Sequence, residues 1–171
     1  KTQLVQANIK LLLEALGYDL TNPDLRDTPK RVARLLINEC GPKDKELKKL
    51  FRTFPSTYKS MITLINHRTF TRCPHHLERV ELIASVAYVP NNQLLGLSKL
   101  ARIVDYFSQG LMLQEEIAEG VAEGLQGALE PKGVAVHILG RHMCMRARGV
   151  QSENSSVITS RLTGIFLEDI K

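Results

Sequence analysis

The hydrophobic residues of this 171-residue chain change their spacing along its length, and that change of period constrains its architecture more than any other feature. Up to about residue 50, apolar side chains recur every third or fourth position, as they do on one face of a helix. TQLVQANIKLLLEALGYD places Val5, Ile9, Leu12, Leu13 and Leu16 on such a face, with Gly17 positioned to end the helix. DTPKRVARLLINE predicts a second helix, with Thr28 as its cap, Pro29 in the first turn, and Val32, Leu35 and Leu36 turned inward. A short third helix is expected over residues 44–51, and a loop through Pro55 and Ser56.

Beyond that point the period shortens. MITLINHRTFTR and ELIASVAYVP read as strands, separated by CPHH and closed by Pro90 and an NNQ turn. Ser98 is placed to cap a helix carrying Leu100, Ile103, Val104 and Phe107 on one face. The next helix repeats Leu113, Ile117, Val121, Leu125 and Leu129 at every fourth residue. It admits Gly120, Gly124 and Gly127 at a cost of about 1 kcal/mol each relative to Ala, and glycines so placed usually permit close packing. GVAVHILG and SSVITSRLTGIF are two further strands. Helices, two strands, two helices, two strands: this order defines an α+β domain with an antiparallel sheet. With no repeat, linker or low-complexity tract, residues 1–171 are read as one domain, a helical part over 1–55 and a core over 56–171.

Composition narrows the function. Three cysteines are too few, and odd in number, for a disulfide framework, which favours metal or catalytic use. No apolar run reaches the length of a membrane span and the N-terminus does not read as a signal peptide, so a cytoplasmic setting without membrane contact is expected. A formal charge of +5 and a pI near 9.2 suit an anionic partner, either nucleic acid or a polyphosphate ligand. The basic residues form no long run, and aromatics make up only 5% of the chain, which counts against base stacking and so against nucleic acid.

The chemistry-bearing residues concentrate in two short segments, Cys73-Pro74-His75-His76 and His142-Met143-Cys144, both at the ends of predicted strands. Cys73, His76 and Cys144 would supply two thiolates and an imidazole to zinc, leaving a fourth position open, as catalytic sites do. His75 and His142 would then stand beside the metal, free for proton transfer. The bland alternatives are a buried thiol acting as a small hydrophobe, a histidine satisfied by a hydrogen bond, or a structural zinc with Cys40 as fourth ligand. Lys99 and Arg102 follow Ser98 at a helix start, Arg146 and Arg148 follow Cys144, and Arg31 and Arg34 share a face of the second helix. Each alone reads as solvated surface, though a helix N-terminus bearing Ser and Lys suits a phosphate.

The run LLGLSKLARIVDYFSQ, with CPHH before it, RHMCMRARGV after it and DTPKRVARLL near the N-terminus, resembles GTP cyclohydrolase I of the zinc-dependent type. The resemblance covers residues 27–166, with the motifs in the family's order. It implies the tunnelling fold, in which sheets of several subunits close into barrels and two rings stack as a decamer. It also implies opening of the guanine imidazole ring of GTP at C8, release of formate and formation of dihydroneopterin triphosphate. Carried over by position, Cys73, His76 and Cys144 are the zinc ligands, and His142 protonates the ring nitrogen next to C8. His75 assists proton transfer near the ribose. Gln114 and Glu115 match a QE pair whose Glu grips the guanine edge. Ser98, Lys99, Arg102 and Arg148 hold ribose and triphosphate, joined by Arg31 and Arg34.

The chain departs from the family pattern around those ligands. Pro74 stands where CEHH has Glu, Gly110 and Leu111 replace an Arg-Pro pair, Glu116 replaces an Arg, and Leu82-Ile83 replace a Gly-Lys pair. Such changes leave a deoxy or otherwise altered purine nucleotide open as substrate. Other readings are a different tunnelling-fold purine or pterin enzyme, or a zinc-stabilised basic module for nucleic acid.

Overall fold

A computed structural model describes residues 1–41 and 47–168, which fall into two units, Lys1–Pro42 and Lys43–Lys171. In the first, the helical period gives α1 (Thr2–Ala15) and α2 (Thr28–Cys40). Gly17, at φ +86°, ends α1: its N–H donates to Glu14 O at 3.0 Å and that of Tyr18 to Leu13 O at 3.0 Å, closing the orphan carbonyls of the last turn. Val5, Ile9 and Leu13 are half-buried, whereas Leu12 and Leu16 are exposed. Two expectations for α2 are corrected. Its cap is Asp27, whose carbonyl accepts from Arg31 N at 3.1 Å, so Thr28 already lies inside the helix. Pro29 and Ala33, four residues apart, define the buried stripe; Leu35 falls about 200° around the helix from Ala33 and is exposed.

The second unit opens with a single 3-10 turn, Leu47–Leu50; residues 44–46 of the expected third helix lie outside the described residues. Then come β1 (Thr53–Pro55), β2 (Ile62–Arg72), β3 (Arg79–Val89), β4 (Gln93–Leu95), α3 (Leu97–Ser108) and α4 (Gln114–Leu129). They are followed by β5 (Gly133–His142), α5 (Met143–Arg146), β6 (Val157–Leu162) and α6 (Ile165–Glu168). The four long strands form an antiparallel sheet in the order β2-β3-β5-β6, as the strand pattern requires. The segment through Pro55, expected as loop, is a strand because it pairs with β4 about forty residues later, a partnership no local pattern reveals.

Period two along β3 sends Val80, Leu82, Ala84, Val86 and Tyr88 to one face, joined there by Val134, Val136 and Ile138 of β5. Leu100, Ile103 and Val104 of α3, with Ile117, Val121, Leu125 and Leu129 of α4, are buried in the same core. Each such side chain, fully buried, contributes about 1.5–3 kcal/mol. Two glycines let α4 approach α3. A Cβ on Gly120 would stand 2.4 Å from the Phe107 ring, and one on Gly124 3.3 Å from it, whereas Gly127 has nothing within 4 Å. The cap of α3 is Gly96, not Ser98: Lys99 N donates to Gly96 O at 2.7 Å, and Ser98 lies in the first turn without a capping bond. Among the described residues no helix is long and apolar enough to cross a membrane.

Candidate active site

The sheet brings the two chemistry-bearing segments together. Cys73 follows the last residue of β2 and His142 is the last residue of β5; β3 lies between those strands, and Val80 at its start pairs with His142. The CPHH segment turns back at once: Leu77 N donates to Cys73 O at 2.9 Å, and Cys73 N to Glu78 O at 2.8 Å. Pro74 suits that turn, since its fixed φ is at home at a turn's second residue. Leu77 sits at φ +57°, and Arg72 Nη1 donates to its carbonyl at 2.7 Å.

Ligand atoms of Cys73, His76 and Cys144 lie within 4.8 Å of one another, Cys73 being buried, Cys144 half-buried and His76 exposed. Cys73 Sγ is 3.6 Å from His76 Nδ1 and 3.9 Å from His75 Nδ1. Bonds of about 2.0–2.3 Å to zinc set ligands roughly 3.3–3.8 Å apart, so small side-chain rotations complete the site and the donor set fits that metal. Burial, and next the neighbouring Cys73 thiol, push the Cys144 thiol above its ordinary pKa, while the Arg148 charge pulls the other way. A divalent cation held here would favour the thiolate form of the sulfurs that it binds. Cys40, weighed as a fourth ligand, ends α2 in the N-terminal unit.

His142 Nε2 lies 2.9 Å from Gln114 Oε1. Burial lowers its pKa, opposed by the Glu115 carboxylate. Glu115 itself is exposed, and with Ala118, Glu119, Thr159, Ser160 and Arg161 it lines an open groove of about 390 Å³ between α4 and β6. Gln114, by contrast, is 3% exposed, and its amide is committed to protein partners. Ser98, Lys99 and Arg102 stand on the first turns of α3; Lys99 Nζ donates to Lys49 O at 3.3 Å. Among the described residues no hydrogen bond links these three to the cysteine–histidine cluster. Arg31 pairs with Asp27 at 3.7 Å and Arg34 is exposed, both on α2.

Several departures from the family pattern have local reasons. Gly110 takes φ +100°, a region an Arg would adopt only under strain, and its carbonyl accepts from Thr71 Oγ1 at 3.1 Å and Arg72 N at 3.3 Å. Glu116 Oε2 accepts from Leu113 N at 3.0 Å, the N3-to-cap bond that closes a helix N-terminus. Leu82 is buried in the core and Ile83 is on the other face. Glu116 three residues after the start of an apolar repeat was the available sequence signal. Sequence reasoning missed Arg72, Gly140 and Thr159 because their roles depend on what faces them in three dimensions.

An antiparallel α+β core with two helices on one face, carrying a metal-competent Cys-His-Cys cluster beside His75, has the architecture of a tunnelling-fold protein. The solved apo structure of an archaeosine synthase QueF-Like shares the fold, with a TM-score of 0.50 at 20% identity, covering 64% of this chain and 96% of that one. The GTP cyclohydrolase I profile matches residues 5–171. GTP cyclohydrolase 1 2 of Pseudomonas syringae pv. tomato is 38% identical over 96% of this chain and 92% of its own. GTP cyclohydrolase 1 of Sulfurihydrogenibium sp. is 39% identical over 98% and 88% respectively. The chain belongs to the GTP cyclohydrolase I family.

Proposed function

We propose that this protein hydrolytically opens the guanine imidazole ring of GTP, releasing formate and forming dihydroneopterin triphosphate. The observation that carries this reading is the convergence of Cys73, His76 and Cys144 next to a histidine whose ring is held by a buried amide. Cys73, His76 and Cys144 hold one zinc ion per subunit. When bound, zinc supplies the Lewis acidity that makes water a competent nucleophile near neutral pH. His142 delivers a proton to the purine nitrogen next to C8, and a pKa lowered by burial makes it readier to give that proton up. His75 moves a proton near the ribose. Glu115, facing the groove between α4 and β6, accepts from guanine N–H groups. Ser98, Lys99, Arg102 and Arg148 hold ribose and triphosphate, with Arg31 and Arg34 as further anion contacts.

Among the described residues the outer edge of β6 pairs with no strand, and that of β2 carries only the bridge from Arg72 to Leu111, which favours closure of several subunits into a ring; a decamer with sites between subunits is the assembly we infer. A cytoplasmic location accords with this reading. Zinc analysis, followed by incubation with GTP and detection of formate and of a fluorescent pterin after oxidation, tests the activity. Calorimetry with GTP, dGTP and ATP tests the pocket. Guanine nucleotides should bind and ATP should not, because adenine lacks the 2-amino donor that a carboxylate recognises. Equal binding of ATP and GTP would remove Glu115 from base recognition.

A further inference from the structure

Gln114 is adjacent to the proposed guanine-binding Glu115, yet its amide faces into the protein. Gln114 Nε2 lies 3.0 Å from Ile138 O, 3.1 Å from Val157 O and 3.2 Å from Thr159 Oγ1. Backbone carbonyls only accept, so two of them together fix which end of the amide is nitrogen. The oxygen must therefore face His142 Nε2, 2.9 Å away. An amide oxygen has no hydrogen to give, so the hydrogen of that bond belongs to His142 Nε2, whether the ring is neutral or charged. No other hydrogen bond of the His142 ring is found among the described residues. The packing is close enough to require glycine at 140: a Cβ there would stand 1.9 Å from Gln114 Oε1 and 3.2 Å from His142 Nε2.

We infer that Gln114 is a positioning residue, fixing the plane of the His142 ring and the hydrogen on its Nε2 with Nδ1 left outside that bond, and that Gly140 provides the room for it. Its catalytic consequence rests on the proposed role of His142 as proton donor; the bond itself does not. β5 and β6 supply the carbonyls, α4 supplies the amide, and the hydrogen on Nε2 is thereby dictated by how helix and sheet are packed.

Neutron diffraction from holoenzyme crystals grown in D2O reads the geometry directly. Deuterium on His142 Nε2, with two on the Gln114 nitrogen, is expected; a bare Nε2, or an amide nitrogen facing the ring, would overturn the inference. Kinetics separates positioning from substrate contact. Gln114→Met, which keeps the volume, and Gly140→Ala should each retain zinc, lower kcat by about 10- to 100-fold and leave KM for GTP nearly unchanged. The double variant should be little worse than either single one, because both break the same bond. A raised KM at unchanged kcat would make Gln114 a substrate contact and sink the proposal. Should Gly140→Ala fail to fold, Gln114→Met and the neutron map still decide. Normal turnover by His142→Ala, with the deuterium where expected, would instead refute the proton-donor reading while leaving the Gln114–His142 bond intact.

Discussion

Cys73, His75 and His76 stand on a loop between two strands, whereas His142 ends a central strand and leans on a buried side chain. Hydrogen bonds between its own backbone groups, and one from Arg72 to the carbonyl of Leu77, order the loop. Leu77 is held there in the left-handed region, at a cost of about 1–2 kcal/mol. The His142 corner has four hydrogen bonds to one amide, shared among α4, β5 and β6. The two halves of one site are thus organised differently. The loop brings candidate ligands near one another, and the proposed ion would make the final adjustment. The strand end sets its histidine by packing alone.

The largest expected effect tests the ligand set that spans both halves, since Cys144 lies on α5 just past His142. Cys144→Ala removes one of three ligands, so zinc content should fall from one per subunit to near zero and ring opening should cease. Full zinc in that variant, by elemental analysis, would show the ligand set to be wrong. His142→Ala is next. It should keep its zinc and lose about 10²–10⁴-fold in rate, the usual worth of general acid–base help. Loss of zinc in this variant would mean that the two halves are not separable. A smaller effect is expected from Arg72→Ala, which frees the Leu77 carbonyl without touching a ligand. Zinc should leave up to about 10-fold faster in a chelator-competition experiment, at unchanged stoichiometry, the low end of what loss of a direct outer partner of a ligand costs. An unchanged release rate would locate the order of the loop in its backbone alone.

That contrast also explains what could be read in advance. The clustering of Cys73, His76 and Cys144 was legible because thiols and imidazoles at short spacing carry their chemistry in their identity. The core of α4 was legible because Ile117, Val121, Leu125 and Leu129 repeat at the spacing of a helix face that is in fact buried. Helix starts were less so. Thr28 and Ser98 are good capping types, yet the chain enters each helix one or two residues earlier, at Asp27 and Gly96. The short strand at Thr53–Pro55 and the anchoring of Gln114 were invisible for a shared reason: their partners lie far along the chain, at β4 for the one and at Ile138, Val157 and Thr159 for the other. Local pattern reports what a residue can do; only the sheet decides which carbonyl it meets.

If packing sets the His142 corner, the seat of α4 should matter more than the composition of α4, and its glycines test this. At Gly120 a Cβ would collide with the Phe107 ring, so Gly120→Ala should cost about 1–3 kcal/mol of stability and lower activity without loss of zinc. Gly127 has an exposed face, no neighbour within 4 Å and a φ outside the positive range. Ala there restricts the unfolded chain and favours the helix, so Gly127→Ala should stabilise by up to about 1 kcal/mol with zinc and turnover unchanged. Denaturant midpoints at matched protein concentration measure both, since subunit association contributes to the stability of an oligomer. Opposite signs at two positions seven residues apart would show that what α4 contributes to the site is its distance from α3. A loss of stability in Gly127→Ala would instead reveal that this face is covered in solution, with a neighbouring subunit as the candidate cover.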